Sequence, residues 1–406
     1  MSAQIDAPKY TYLKRGVYYF VMLCSVVATS LSSAANWNKS AVPKEVSPDQ
    51  LMLIKFPTYF YANSLNPEFC VSSRTTSNLE RKIDAAVSSL ESNSDIAPGS
   101  TSLTVSHDQM SDAWKFLIDT STSAAALNDN DSSRAIIVAL KRLVEREAFL
   151  TGSAGGKCWQ NSASKCPAHS AQHRSFGAAA LLISAINVRS FMTTQEEMEI
   201  TKYAEKAYAK LLKNEARERF VKSKKGFYEF GHGSIPVIAY SAWIQDKNLL
   251  AKTYEQFEKW TRKVFEESGY VDNNSYRGVR GVFYHTLGVE SALSAALIFK
   301  EHGLNVFDND DILFRFKNAL LKVDEGLLDY ENFQSKGFRG SGFSKNYSTD
   351  IKDERRSVHS LAINLHPIAS EMFGFKLAYQ PSGRLKANGA SKLSGLDAKC
   401  LFGSQN

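Results

Sequence analysis

No Cys-x-x-Cys pair and no His-Glu-x-x-His occurs in the 406 residues. A zinc site is therefore not expected, and no metal or cofactor is needed for the reading that follows. Strand signals are equally scarce: no Asn-Gly or Asp-Gly turn is flanked by alternating apolar runs, and β-branched clusters are brief, which argues against a sandwich or barrel of strands. No Pro-rich or charge-block linker divides the chain beyond its N-terminus, and no sharp repeat supports a TPR or ankyrin array. Charge of one sign is also limited. The 49 Lys and Arg against 42 Asp and Glu leave +7, short of the dense basic stripe of a nucleic-acid binder yet compatible with an acidic ligand in one cleft. What is present is apolar material, 43% of residues against 22% charged, which excludes a disordered or fibrous chain.

The N-terminus gives meaning to the five cysteines. Lys9, Lys14 and Arg15 precede an apolar stretch from Gly16 to Leu31, and Ser33-Ala34-Ala35 offers small residues for cleavage, the pattern of a secretory signal peptide. The apolar run is 16 residues long, shorter than the ~20 that span a bilayer, so residues 1–35 are expected to be removed rather than kept as an anchor. Cleavage takes away Cys24 and leaves four cysteines in an exported, secreted or periplasmic protein. Two disulfides are then expected, Cys158 with Cys166 across a loop and Cys70 with Cys400 tying the start of the fold to its end. The mature chain, residues 36–406, keeps about +5 and reads as a single domain acting as a monomer, with no membrane or nucleic-acid partner.

From Leu51 onward, apolar positions recur at three- and four-residue offsets in ten stretches: 79–90, 110–118, 135–150, 176–188, 200–212, 235–244, 249–265, 282–299, 312–321 and 358–373. The fold class is all-α. Ten helices paired as hairpins, with no heptad pattern longer than one helix, fit an (α/α) toroid or incomplete barrel of antiparallel helix hairpins better than a coiled coil or four-helix bundle. Three longer loops stand out for function: 152–170, 222–233 and 332–350.

The densest chemical cluster is Asp272-Asn-Asn-Ser-Tyr-Arg-Gly-Val-Arg-Gly-Val-Phe-Tyr-His285. A helix beginning near Ser275 would put Arg277, Arg280 and Tyr284 on one stripe, with His285 about 100° away around the helix. Two cations would then flank one phenol, and adjacent positive charge favours a phenolate, moving a tyrosine toward useful basicity. A solvated arginine face beside an amphipathic tyrosine is the alternative. Two other groups join the cluster as candidates. His232 sits between two glycines at the entrance of the helix from Ile235, suited to a general base, a donor to a carboxylate or a cap. Gln172, His173 and Arg174 open the helix that runs to Val188, a plausible anion seat or an ordinary polar first turn.

The segment Gly269 to Val289 resembles the part of the family 5 alginate lyases, and of the related family 38 glucuronan lyases, that carries an arginine followed by a Tyr-His pair on a helix. Arg280-Gly-Val-Phe-Tyr284-His285 is the local match, and His232 precedes Arg280 by 48 residues, about the spacing in that family. The likeness is local, over roughly residues 230–300, and architectural elsewhere. Two positions depart from the family. Gly231 replaces its asparagine, so the carboxylate-neutralising amide is sought at Gln172, Asn161 or Asn273. The family tyrosine stands seven residues after its arginine, where Arg280 has Leu287; Tyr284 restores that spacing from Arg277, or serves Arg280 from one helical turn away.

The resemblance implies β-elimination on a uronic-acid polymer such as mannuronan or glucuronan. The C5 proton beside a carboxylate is removed and the C4 oxygen leaves. The existing negative charge opposes a carbanion, so cations and hydrogen-bond donors must neutralise it, the logic of an oxyanion hole. Arg277, Arg280 and His232 are candidates for that work and Tyr284 for base, acid or both, with His232 as base if the two groups act on opposite faces of the sugar. Trp159, Tyr228, Tyr276, Asn273 and His285 are candidates for substrate contacts. Two other classes compete. A helical-toroid glycoside hydrolase needs paired carboxylates about 5 to 9.5 Å apart, for which Asp272, Glu229 and Asp350 are the candidates. A non-catalytic binder would use Trp159, Tyr228, Phe230 and Tyr276 as sugar platforms, with the basic groups holding carboxylates.

Overall fold

The structure is a computed structural model that describes residues 46–58, 60, 78–94, 107–150, 166–212, 234–272, 274–336, 358, 362, 364–379 and 402. The helices among them are α1 (Pro48–Leu53), α2 (Leu79–Ser94), α3 (His107–Leu127), α4 (Asn130–Glu145), α5 (Cys166–Asn187), α6 (Thr194–Ala207), α7 (Ile235–Ile244), α8 (Lys247–Val264), α9 (Gly281–Glu301), α10 (Asp310–Leu328), α11 (Tyr330–Lys336) and α12 (Leu365–Phe373). A π-helical turn, Tyr208–Leu212, extends α6. Among the described residues there is no β-strand, and Phe265 and Val271 form an isolated antiparallel bridge.

Two kinds of helix build two layers. Nine of the ten residues of α7 and 17 of the 21 of α9 are buried, so these helices are apolar all round and must be enclosed by protein. Helices α3, α5, α7 and α9 pack in that order, α3 on α5, α5 on α7 and α7 on α9. The amphipathic helices α4, α6, α8 and α10 lie outside them, α4 against α6 and α8 against α10, each also packed on an inner neighbour. This is the α/α toroid, an inner ring and an outer ring of antiparallel pairs. Length and hydropathy alone would let α9 cross a membrane; its most apolar window is 83% buried inside the protein instead.

Short connections fix the pairs. Gln245 closes α7 in the left-handed region at φ 58°, and Asp246 then caps α8 by accepting the Leu249 N–H at 2.9 Å, so the chain reverses within two residues. Thr193 and Glu196 form a capping box at the start of α6. Glu196 also accepts two bonds from Arg134 of α4, at 3.0 and 2.9 Å, tying neighbouring outer helices together. The Arg134 hydrogen bonds hold the Glu196 carboxyl well below the usual carboxylate range, at about 2.

The N-terminal segment is a strap over several helices. Val46 N–H donates to Glu255 of α8 at 2.6 Å, Lys55 N–H to the His302 carbonyl at 3.1 Å, and Phe60 N–H to Asn187 Oδ1 at 2.9 Å. The Asn187 amide in turn donates to Ser121 and Thr122 of α3. His302 is fully buried beneath the strap, edge-on to Phe56 and Phe60, with Nδ1–H donating to the Ile298 carbonyl at 2.7 Å.

Burial pushes both His302 and His285 down from about 6.5 to about 4. Above pH 6.5 both histidines are neutral folded or unfolded, and neither makes stability depend on pH. Between pH 6.5 and 4 the unfolded chain binds protons that the folded chain refuses, so stability falls as pH falls, by roughly 3 kcal/mol per histidine at the lower limit. Urea midpoints at pH 7 and pH 4.5 should differ accordingly, and His302→Gln should flatten part of that slope.

Several expectations are corrected. The segment 152–170 is not loop throughout, because α5 begins at Cys166 with Pro167 in its first turn, where a missing N–H costs nothing. Gln172, His173 and Arg174 therefore lie beyond the first turn rather than at a helix N-terminus, and the anion-seat reading loses its basis. Residues 332–336 belong to α11 rather than to a loop. The chain from 146 to 150 leaves the helix by a turn with Glu147 and Phe149 at positive φ. The described residues fall in one compact unit, Pro43–Asn406; the unit Met1–Val42, which carries the expected signal peptide, lies outside them.

Candidate functional site

The polypeptide between α8 and α9 builds the site. After α8 the chain reverses through Gly269, at φ 89°, where a Cβ would stand 2.4 Å from the Asn318 carbonyl oxygen of α10. The reversal is held by Glu266 N–H to Tyr270 O and Asp272 N–H to Val264 O, both at 2.8 Å. A tight turn follows in which Asn274 and Ser275 donate their backbone N–H to the Val271 carbonyl. Gly278, at φ 58°, breaks the path into a short 3-10 turn, Gly278–Arg280, and α9 starts only at Gly281. The helix expected from Ser275 is thus shorter. Gly281 is required there because a Cβ would meet the Ser275 carbonyl oxygen at 2.6 Å.

Although Arg277 and Tyr284 do not share one helix, their side chains meet. The Arg277 guanidinium lies over the Tyr284 ring, 3.9 Å from its centroid, and the Arg280 guanidinium stands 5.0 Å from the same centroid and 5.0 Å from that of Phe283. Cations on an aromatic face are attracted by the ring quadrupole, by ≈ 0.5–2 kcal/mol according to exposure. Arg277 is buried, at 4% exposure, whereas Arg280 and Tyr284 are half-buried and keep a surface to solvent. The expected grouping of two cations around one phenol is therefore present, with unequal access: Arg277 is buried and closer to the ring, Arg280 half-buried and farther from it.

Two other candidates from the same segment are structural. His285 is fully buried; Nδ1 lies 2.9 Å from Ser275 Oγ and Nε2 lies 3.0 Å from the Ala319 carbonyl oxygen, so both ring nitrogens are engaged inside the protein. Tyr276 is buried, and its hydroxyl donates to both oxygens of the Glu266 carboxylate at 2.7 and 2.8 Å. With Tyr270, Val282, Tyr330, Phe333 and Val358 it forms a small core behind the site. It braces the turn and offers no ring to a sugar.

Arg174 lies half-buried on α5, where burial pushes its guanidinium below its ordinary value. Gln172, His173 and Cys166 lie on the backbone of α5. His232, Trp159, Asn161, Tyr228, Asn273, Cys70, Cys158 and Cys400 lie outside the described residues. Among the described residues no three His, Cys, Asp or Glu side chains converge as a metal site.

Asn274 did not emerge from the sequence, where Asn273 was the obvious amide. It is buried at 1% exposure, and its Nδ2 donates to the Tyr284 carbonyl at 2.9 Å, fastening the turn to the first coil of α9. Gly288 makes room for it, since a Cβ there would stand 2.5 Å from Nδ2. The signal was Gly288 one helical turn beyond Tyr284 in an otherwise good helix former.

No protein-family model matches the sequence, and no curated protein matches it. Among solved structures, the chain is similar in fold to alginate lyase A1-III from Sphingomonas species A1, with a TM-score of 0.54 and 11% identity over 88% of this chain and 99% of that one. It is similar as well to a histidine-to-alanine and a tyrosine-to-phenylalanine variant of alginate lyase A1-III, each complexed with tetrasaccharide. Their TM-scores are 0.52 and 0.51, with 10% identity over 88% of this chain and 98% of theirs. At such identity the likeness establishes the α/α toroid and not the chemistry.

Proposed function

We propose that this protein is a polysaccharide lyase that cleaves a uronic-acid polymer, mannuronan-type alginate or glucuronan, by β-elimination. The observation that carries the proposal is the Tyr284 phenol with Arg277 at 3.9 Å and Arg280 at 5.0 Å from its ring centroid, two half-buried groups beside one buried cation. The resemblance of Gly269 to Val289 to the family 5 alginate lyases supports it, as does the shared fold with an alginate lyase whose variants hold a tetrasaccharide.

The work divides by access. Arg280, half-buried next to the phenol, neutralises the C5 carboxylate and stabilises the charge that grows on it as the proton leaves. Tyr284 takes the C5 proton, returns one to the departing O4, or does both; where proton and leaving group lie on opposite faces, His232 takes the first role. Arg277, buried and closer to the ring, positions the phenol. The amide that completes carboxylate neutralisation is assigned to Gln172, Asn161 or Asn273. Asn274 is excluded from that role because it is buried at 1% exposure and its amide fastens the Tyr284 carbonyl. Residues 1–35 direct export, and Cys158–Cys166 and Cys70–Cys400 are the bridges of the mature monomer.

Incubation with mannuronan, guluronan and glucuronan tests the reading. A lyase raises the ultraviolet absorbance of an unsaturated uronate at the new non-reducing end. New reducing ends without that chromophore would mean hydrolysis, and retention on the polymer without cleavage would mean a binding protein; either result replaces the proposal.

A further inference from the structure

The residues that flank Arg277 and Tyr284 carry a hydrogen-bond chain that the proposed β-elimination does not use. Ser275 and His285 are both fully buried, ten residues apart in sequence and 2.9 Å apart at Oγ and Nδ1. The partners decide every proton in it. The Ala319 carbonyl can only accept, so His285 Nε2, 3.0 Å away, carries a hydrogen. Burial keeps the imidazole neutral, which leaves a lone pair on Nδ1, and the Ser275 hydroxyl donates to it. Ser275 Oγ accepts the Val271 N–H at 2.7 Å. The chain runs without a gap from Val271 N–H through the Ser275 hydroxyl to His285, and from His285 to α10.

Its three anchors are the pieces that carry the site. Ser275 belongs to the turn that presents Arg277, His285 follows Tyr284 on α9, and Ala319 lies on α10 behind both. An apolar side chain could fill the space of His285, but a polar group with an acceptor toward Ser275 adds to the Asn274–Tyr284 bond a second tie that fixes the turn at one distance from α9. A fully satisfied buried network selects a single arrangement in this way.

We propose that Ser275 and His285 are positioning residues, a neutral clip that sets the Arg277 guanidinium against the Tyr284 ring and so fixes the phenol for reaction. The proposal rests on the lyase reading for its kinetic consequence and on geometry alone for its structural one. A misplacement of about 1 Å can cost ~10²-fold in rate, which sets the expected scale.

The test uses the full chain and three variants. His285→Asn keeps an acceptor where Nδ1 stands and loses the bond to Ala319; His285→Gln keeps a donor toward Ala319 and loses the acceptor; Ser275→Ala removes the donor to His285. Ser275→Ala and His285→Gln should lower kcat by roughly 10²-fold with KM within about twofold, while His285→Asn stays within a few-fold of the parent. In protein carrying 13C-labelled arginine, the Arg277 side-chain signals, shifted by the Tyr284 ring, should move toward unshifted values in Ser275→Ala and His285→Gln only. Equal losses in His285→Asn and His285→Gln, with Arg277 unmoved in both, would overturn the clip and leave a merely structural role. If the parent yields no unsaturated uronate the lyase reading falls, and the arginine signals still decide the clip. Should Ser275→Ala fail to fold, the two histidine variants carry the comparison.

Discussion

Tyr284→Phe is expected to reduce turnover of a uronate polymer by about 10²- to 10⁴-fold, the range that a positioned acid or base contributes. The substitution isolates the hydroxyl. The phenyl ring keeps its place over Arg277 and beside Arg280, because both contacts are made to the ring and not to the oxygen. The carbonyl of residue 284 still accepts from Asn274, so the first turn of α9 stays fastened. Thermal unfolding of the variant should match the parent, and initial rates followed at the unsaturated-uronate absorbance should collapse. Near-normal turnover with an intact fold would remove the phenol from the chemistry and make His232 the sole candidate for acid and base.

Arg280→Ala should cost about 10²- to 10³-fold in kcat/KM, comparable to loss of an oxyanion-hole donor. The loss should be shared between kcat and KM for a physical reason. The substrate carboxylate already carries one negative charge when bound, so part of the interaction with Arg280 exists in the ground state; a second charge grows as the C5 proton departs, and that part appears only in the transition state. Arg280→Lys should restore only a fraction, since an ammonium lacks the planar fork that meets a carboxylate with two bonds and stacks on Phe283 and Tyr284. A change confined to KM would make Arg280 a binding group alone.

Much of the fold was legible because inner and outer helices bury different faces. The run Ile235–Ile244 has no polar face to misplace, and its bounds agree with α7 to the residue. Helices such as α8 and α10 show a clear stripe, and only their ends differ, where Asp246 and Asn309 cap them earlier than the apolar pattern begins. The start of α5 was hidden because Cys166 and Pro167 read as loop residues, although proline suits a first turn. At the site, the association of Arg277, Arg280 and Tyr284 was legible from spacing, but for a wrong local reason. One helix was expected, and a turn ending at Gly278 delivers Arg277 instead. His285 and Tyr276 were misread because a titratable or aromatic side chain beside a reactive one carries no mark in sequence of the direction in which it points. Ser275 was invisible as a partner of His285, since what joins them is a turn whose path depends on Gly281.

The strap from Val46 to Phe60 also sets the order in which the protein can be completed. Its bond to Glu255 spans 209 residues and its bond to Asn187 spans 127. On a growing chain this segment is among the first of the described residues to be made, yet its outermost partner must wait until α8 has been synthesised, and Lys55 waits for the end of α9. Until then its apolar residues have no seat and stay open to chaperones or to neighbouring chains. Docking of the strap is thus a late, non-local event, and loop-closure entropy makes it slow relative to pairing of adjacent helices.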